Sequence, residues 1–323
     1  MPLAEPARIS VAMCTRDGEG FVAEQLTSIL RQTRLPDELV LFDDRSTDDT
    51  VAIARRVLHD APFTTRVCSN PHPLGVTANF SAAIAAASGD VIVLADQDDV
   101  WHPDKLTRLG SAFERSADVL AVFSDAHLID GAGQPLPGTL WSRVGVSRGA
   151  RRRLESGAVL EQLCRWKVVT GSTLAFRTGI VPLLLPMPPS TLHDSWIAVV
   201  AALLGRVVAV PEPLVSYRIH GANTVGVPSR DPQALVASHA GDAGVRDDEL
   251  AMFELAATRT DGVADPRRLD LVARKVSFLE QRAGLDRRAV RRVWPVAAGL
   301  VQGRYHALGH GWRSAAHDLL IGR

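Results

Sequence analysis

Long hydrophobic runs are missing from this 323-residue chain. No apolar stretch approaches the roughly 20 residues that span a bilayer, and the segment at 180–189 is short and broken by prolines. The N-terminus, MPLAEPARISVAMC, does not join a basic segment to an apolar core, so it is not read as a signal peptide. The chain is therefore expected to be soluble or peripheral. Cysteine is scarce. Cys14, Cys68 and Cys164 are odd in number and far apart, which gives neither a metal spacing nor a disulfide framework and points to the reducing cytosol. Lysine is nearly absent: Lys105, Lys167 and Lys275 stand among 36 basic residues, the rest arginine. Basic and acidic residues balance at 36 each, so no net charge marks a nucleic-acid binder. Internal repeats and low-complexity tracts are absent too.

What is present is an alternation. RISVAMCT (8–15) reads as a buried strand, and 20–32 has the apolar period of a helix. Strands follow at 37–44, 64–70 and 91–96, with helices at 46–60, 75–90 and 103–116 between and after them. VLAVFSDAHLID (119–130) reads as a fifth strand. Alternating β and α elements imply a parallel sheet with helices on both faces. Ligands of such sheets bind at the carboxyl ends of the strands. Asp43 and Asp44 end strand two, Asp96, Asp98 and Asp99 end strand four, and Asp125 lies in strand five. Beyond 131 the pattern loosens into a loop at 131–141, a helix at 154–167 and a strand-like 168–177. An apolar helix at 193–205 and a strand pair at 207–224 come next. A linker is expected at 226–233, with helices from about 234 onward.

Each acidic group has two readings. In ADQDDVW, oxygen ligands at a strand end suit Mg²⁺ or Mn²⁺. The same carboxylates can instead cap the helix that follows, with Pro103 in its first turn. Three carboxylates after an apolar strand favour the metal. Capping explains Ser46 to Asp49 but not Asp43 and Asp44, which suit a nucleobase or ribose. Asp194, in HDSW (193–196), is either a general base or a helix-start residue. In YRIHGANT (217–224), His220 is either a metal ligand or structural, and Arg218 can meet a phosphate. In VVTGST (168–173), Gly171 permits close backbone approach and Ser172 can bond a sugar, unless this is an ordinary turn.

In order, SVAMCTRDGEGFVAEQLTSILRQT, DELVLFDDRSTDDT, LGVTANFSAAIAAASGDVIVLADQDDVWHPDKL, SDAHLID, HD and YRIH resemble glycosyltransferase family 2, and within it the bacterial rhamnosyltransferase-like branch. The likeness runs from Ile9 to Thr224. It implies an α/β GT-A fold: a Rossmann-like, mixed but mostly parallel sheet flanked by helices. A catalytic domain at 1–228 and a helical C-terminal region at 229–323 are expected. The resemblance further implies an inverting, metal-dependent transfer from a nucleotide-diphospho-sugar, dTDP-rhamnose or a UDP-hexose, to a glycan or lipid-linked hydroxyl. Cys14, Thr15, Arg16, Asp44, Asp96 and Asp98 would bind the donor. Asp98 and His220 would hold Mg²⁺ or Mn²⁺, and Asp194 would be the catalytic base. Gly171, Ser172 and Trp101 are assigned to the acceptor. The chain departs from the family where it has Arg16-Asp17 in place of Tyr-Asn, and Arg45 in place of Gly.

From 287 to 323 there are seven arginines and one aspartate, interleaved with Trp294, Tyr305 and Trp312. This region reads either as a peripheral contact with an anionic membrane or as helices packed on the catalytic domain. A dinucleotide-dependent oxidoreductase is disfavoured because TRDGEGF lacks G-x-G-x-x-G. CTRDGEG is also a poor match to the Gly-rich basic turn of a sugar nucleotidyltransferase. A non-catalytic or degenerate sugar-nucleotide-binding protein stays open.

Overall fold

The computed structural model describes residues 6–221, 242–286 and 288–320. The expected linker at 226–233 and the boundary at 228/229 lie outside the described residues. Strands β1 (Ile9–Thr15), β2 (Glu38–Asp43), β3 (Thr64–Ser69) and β4 (Val91–Ala95) pair in parallel, in the order β3-β2-β1-β4. β1 and β4 are buried along their whole length, which is why they read as unbroken apolar runs. β3 is the edge strand, and Thr64, Arg66 and Ser69 suit its half-exposed position. Helices α1 (Val22–Leu30), α2 (Thr50–Val57), α3 (Val76–Ala86) and α4 (Lys105–Glu114) follow these strands as expected, each a few residues shorter.

The second half makes the sheet mixed but mostly parallel, as the family resemblance implies and the β/α alternation alone does not. Strand β5 (Val100–Trp101) is followed by β6 (Val119–Asp130), β7 (Pro135–Thr139), β8 (Leu174–Arg177) and β9 (Arg206–Ile219). β8 inserts antiparallel between β4 and β6, while β6 and β9 run parallel and β5 pairs antiparallel to β9. The sheet is mixed, in the order β3-β2-β1-β4-β8-β6-β9-β5, with β7 on β6. The expected strand pair at 207–224 is, over its described part, one long strand. Its register against β6 slips at Ser124/Asp125, opposite Pro211 and Pro213, because proline has no N–H for the ladder. The expected loop at 131–141 contains β7 and opens α5 (Leu140–Arg143) through a capping box of Thr139 and Ser142. The single helix expected at 154–167 is two, α6 (Arg148–Glu155) and α7 (Val159–Leu163), interrupted at Gly157 with φ +86°.

Helix α8 (Val181–Leu184) precedes α9 (His193–Leu204), which is buried along nearly its whole length. The C-terminal helices are α10 (Asp242–Thr260), α11 (Pro266–Ala283), α12 (Ala289–Val301), α13 (Arg304–Leu308) and α14 (Trp312–Leu320). One core lies under α1 and α4, with Val11, Leu26, Val93 and Phe113 in contact. The other gathers Ala12, Phe80, Leu94 and Trp196, and continues without a break into Phe253, Phe278, Val296 and Tyr305. The C-terminal helices therefore share the core of the sheet. Each fully buried Phe or Leu there contributes about 1.5–3 kcal/mol.

Candidate active site

Three loops meet beyond the carboxyl ends of β1, β2 and β4. Thr15 donates to Asp43 at 2.9 Å, and Asp43 also receives Ser46 N–H at 2.9 Å. Asp43 thus closes its own turn. The run at 46–50 does more than start α2: Asp17 accepts Thr47 N–H, Asp48 accepts Glu19 N–H, and Glu19 accepts Asp49 N–H. Both departures from the family pattern in these loops carry left-handed backbone, Asp17 at φ 46° and Arg45 at φ 62°. Gln97 braces the third loop, accepting Arg16 N–H at 2.8 Å and donating to Arg16 O at 2.9 Å. A Cβ on Gly18 would fall 2.2 Å from the Gln97 amide oxygen, so the approach requires glycine.

Asp44 is buried and receives Asn70 Nδ2 at 3.0 Å, Leu74 N–H at 2.6 Å and Gly75 N–H at 2.9 Å. Burial alone would raise its pKa, but these hydrogen bonds outweigh it and hold the carboxyl below its ordinary value. Arg16 Nη1 lies 3.8 Å from it, on a side chain that is 55% exposed. Cys14 is buried beside them, and burial, then Asp96 and Asp44, push its thiol well up. An unreactive thiol follows.

The helix-cap reading of ADQDDVW fails. The residue that precedes α4 is Asp104, and Asp98 and Asp99 reach elsewhere. Asp98 Oδ2 lies 2.9 Å from His220 Nε2, and both side chains are about one-seventh exposed, at 15% and 14%. Asp99 is buried and accepts Arg218 N–H at 3.0 Å through Oδ1. Burial and then the Asp98 charge push Asp99 up to about 7. Burial, Asp99 and Asp98 likewise raise partly buried Asp96 well above the usual range. Asp194 acts on Asp96 in the same sense, so the expected base and the acidic loop share one electrostatic neighbourhood.

Asp194 sits in the first turn of α9, held from three sides. Gly171 N–H donates to Oδ2 at 3.1 Å, Lys167 Nζ lies 2.9 Å from the same oxygen, and Ser195 N–H donates to Oδ1 at 2.6 Å. The helix-start reading accounts for one oxygen, Oδ1, while Oδ2 faces the turn at 171–173 and Lys167. Burial would raise the pKa, but Lys167 first, then His193, bring it below the ordinary value. Were Asp194 the base, it would be needed ionised, and activity would fall as pH drops through this lowered pKa. Lys167→Met should move the acid limb of kcat/KM to higher pH, and a pH profile of the two proteins checks this. His193 stacks on Phe80 at 4.0 Å, and burial pushes its pKa down to about 4. A Cβ at Gly171 would fall 2.6 Å from His193 Nε2, which is the close approach that glycine allows here.

Some expected residues sit deeper than their assigned roles suggest. Trp101 is 3% exposed and lies beneath Lys105 Nζ, 3.5 Å from the ring centroid. Ser172 is buried, and its carbonyl accepts Lys105 Nζ at 2.6 Å. Arg218 is not presented to a phosphate. Its side chain is 3% exposed, bonds Glu24 at 2.6 Å and the Asp98 carbonyl at 2.7 Å, and lies over the Phe21 ring. Asp125 is also diverted, receiving Trp141 N–H at the start of α5. Sequence reasoning missed Lys167, Lys105 and Gln97. Lysine scarcity was the one available signal, since two of only three lysines stand in this site.

The family profile for Glycosyl transferase family 2 matches residues 10–166. An uncharacterized glycosyltransferase of Nostoc sp. is 30% identical over 220 residues, 67% of this chain and 66% of that relative's length. Among solved structures, S. aureus TarS 1–349 in complex with UDP-GlcNAc superposes with a TM-score of 0.57 at 16% identity. That match covers 84% of this chain and 72% of TarS 1–349. The mannosyltransferase PcManGT from Pyrobaculum calidifontis, in complex with GDP-Man and Mn²⁺, gives a TM-score of 0.54 at 18% identity over 98% of this chain and 88% of its own. These likenesses extend the shared GT-A fold into the C-terminal half, beyond the profile match. On its ordered motifs, its profile and its relatives, the chain belongs to glycosyltransferase family 2.

Proposed function

We propose that the protein transfers a sugar, with inversion, from a nucleotide-diphospho-sugar to a hydroxyl acceptor in cell-surface polysaccharide or glycolipid synthesis. The observation that supports this reading is the Asp98–His220 pair beyond the strand ends, in the acidic loop whose Asp96 also feels the charge of Asp194. Asp98 and His220 offer one oxygen and one nitrogen, both within reach of solvent. Among the described residues no cluster of three or more such groups could hold a metal ion. That donor set fits an ion completed by substrate phosphates, as Mg²⁺-type sites often are. Mg²⁺ or Mn²⁺ held there would neutralise charge on the departing diphosphate.

Asp194 takes the proton of the acceptor hydroxyl. The oxygen forms its bond to the anomeric carbon on the face opposite the leaving group. The anomeric C–O bond breaks, and its electron pair leaves with the nucleoside diphosphate. Lys167, whose side chain is 37% exposed, is the contact to Asp194 best able to yield as the carboxyl becomes neutral. Asp44, Arg16, Thr15 and Cys14 shape the nucleoside side, and Gly171 places the base. The branch resemblance favours dTDP-rhamnose over a UDP-hexose. The acceptor is a growing glycan or its lipid carrier, met at the inner face of the plasma membrane. A degenerate sugar-nucleotide-binding protein is the alternative, and detectable transfer excludes it.

Thermal stabilisation by dTDP, UDP and GDP, each with Mn²⁺, Mg²⁺ or EDTA, tests the donor half. A ligand at 100 times its dissociation constant should add about 2.7 kcal/mol. One nucleotide should stabilise, and the effect should vanish in EDTA and in Asp98→Ala. No response to any nucleotide would remove the donor site.

A further inference from the structure

We propose that the outward face of α12 and α14 docks on an anionic lipid bilayer. Val290, Val293, Trp294, Val301, Trp312 and Leu320 all lie on these two helices, against only Leu35, Leu74 and Val263 among exposed large hydrophobics elsewhere in the described chain. On α12, positions 290, 293, 294 and 301 fall on one side at 100° per residue, turned away from buried Arg292, Val296 and Gly299. Folding accounts for the inner row: a Cβ at Gly299 would meet the Tyr305 ring at 2.9 Å, so α12 and α13 close tightly there. Folding does not account for the outer row. Trp294 is 80% exposed and Trp312 is 68% exposed, on helices packed against each other. Solitary exposed hydrophobics are ordinary, but a concentrated set marks a contact surface.

The charges choose the partner. Arg288, Arg291 and Arg313 are exposed around this face. Of the two acidic residues in 286–320, Asp318 is fully buried and Asp286 already faces Arg291 at 3.3 Å. A second copy docking face to face would oppose arginine with arginine. Anionic headgroups offer the complement, and tryptophan with arginine suits the water–lipid boundary. The chain between these two helices packs close to the segment that carries Lys167. Arg165 donates to the His306 carbonyl, Trp166 stacks on His310 at 5.1 Å, and the next residue, Lys167, pairs with Asp194. This deepens the proposed reaction, on which it rests for its purpose, by naming a lipid surface as the place where the acceptor is met.

The test is co-sedimentation of the full chain with vesicles of phosphatidylglycerol and phosphatidylcholine, or of phosphatidylcholine alone, without donor. Binding to the anionic vesicles is expected. It should weaken at least tenfold on phosphatidylcholine alone, in W294S/W312S, and in R288Q/R291Q/R313Q, and it should fall with salt. These side chains are exposed, so unchanged melting of the variants serves as the folding control. No binding to the anionic vesicles, or binding unchanged in W294S/W312S, would overturn the proposal. So would a dimer in light scattering that W294S/W312S abolishes, which would assign the face to a second copy. Transfer to a soluble acceptor is measured separately, so failure of either reading leaves the other distinguishable.

Discussion

Asp194→Asn is expected to lower sugar transfer by about 10²–10⁴-fold, the usual worth of a positioned general base. The amide keeps the size of the carboxyl and can still accept from Gly171 N–H or Ser195 N–H, so the turn at 171–173 should stay in place. What is lost is proton acceptance and the ion pair with Lys167. Donor affinity, measured by calorimetry with nucleotide and Mn²⁺, should be retained because Asp44 and Asp98 are untouched. Turnover close to wild type would remove Asp194 from the mechanism. Equal losses in donor binding and turnover would make it a structural residue of the turn.

Asp318→Ala is expected to destabilise the whole protein by about 3–5 kcal/mol, since it removes one member of a buried ion pair. Asp318 is fully buried and receives Arg282 Nε at 2.7 Å, Arg282 Nη2 at 2.9 Å and Tyr305 Oη at 2.8 Å. The substitution removes two hydrogen bonds from Arg282, itself 9% exposed, and one from Tyr305. Because α11 and α13 share a core with Trp196 and Phe80, one cooperative transition should move to lower urea. Two separate transitions would instead show that the C-terminal helices fold as an independent appendix.

The parallel half of the sheet was legible above all in Ile9–Thr15 and Val91–Ala95, which are buried along their whole length and read as nearly unbroken apolar runs. The antiparallel entry of β8 was not. LAFR is a four-residue apolar run whose direction is fixed by where the chain re-enters the sheet, not by its side chains. β5 is only two residues long and exists because β9 passes beside it. The carboxylates could be named from sequence, but those of ADQDDVW and HDSW also had a local use at a helix start. Only long-range partners separated the two: Asp98 found His220 across 122 positions, and Asp99 found the Arg218 backbone.

The sequence by itself determined the alternating α/β plan, the family, and the acidic, HD and YRIH groups that belong at the strand ends. The tertiary structure alone decided which of those charges face each other. It turned Asp125 and Arg218 inward, raised Lys167 to the partner of Asp194, and set Lys105 beneath the acidic loop. The reason is physical. Hydrophobic period is a local property, readable along a few turns of chain. A charge in a nearly dry site is defined by the nearest opposite charge or hydrogen-bond donor, and that neighbour comes from another stretch of chain, 23 residues away for Asp194 and Gly171 and 122 for Asp98 and His220.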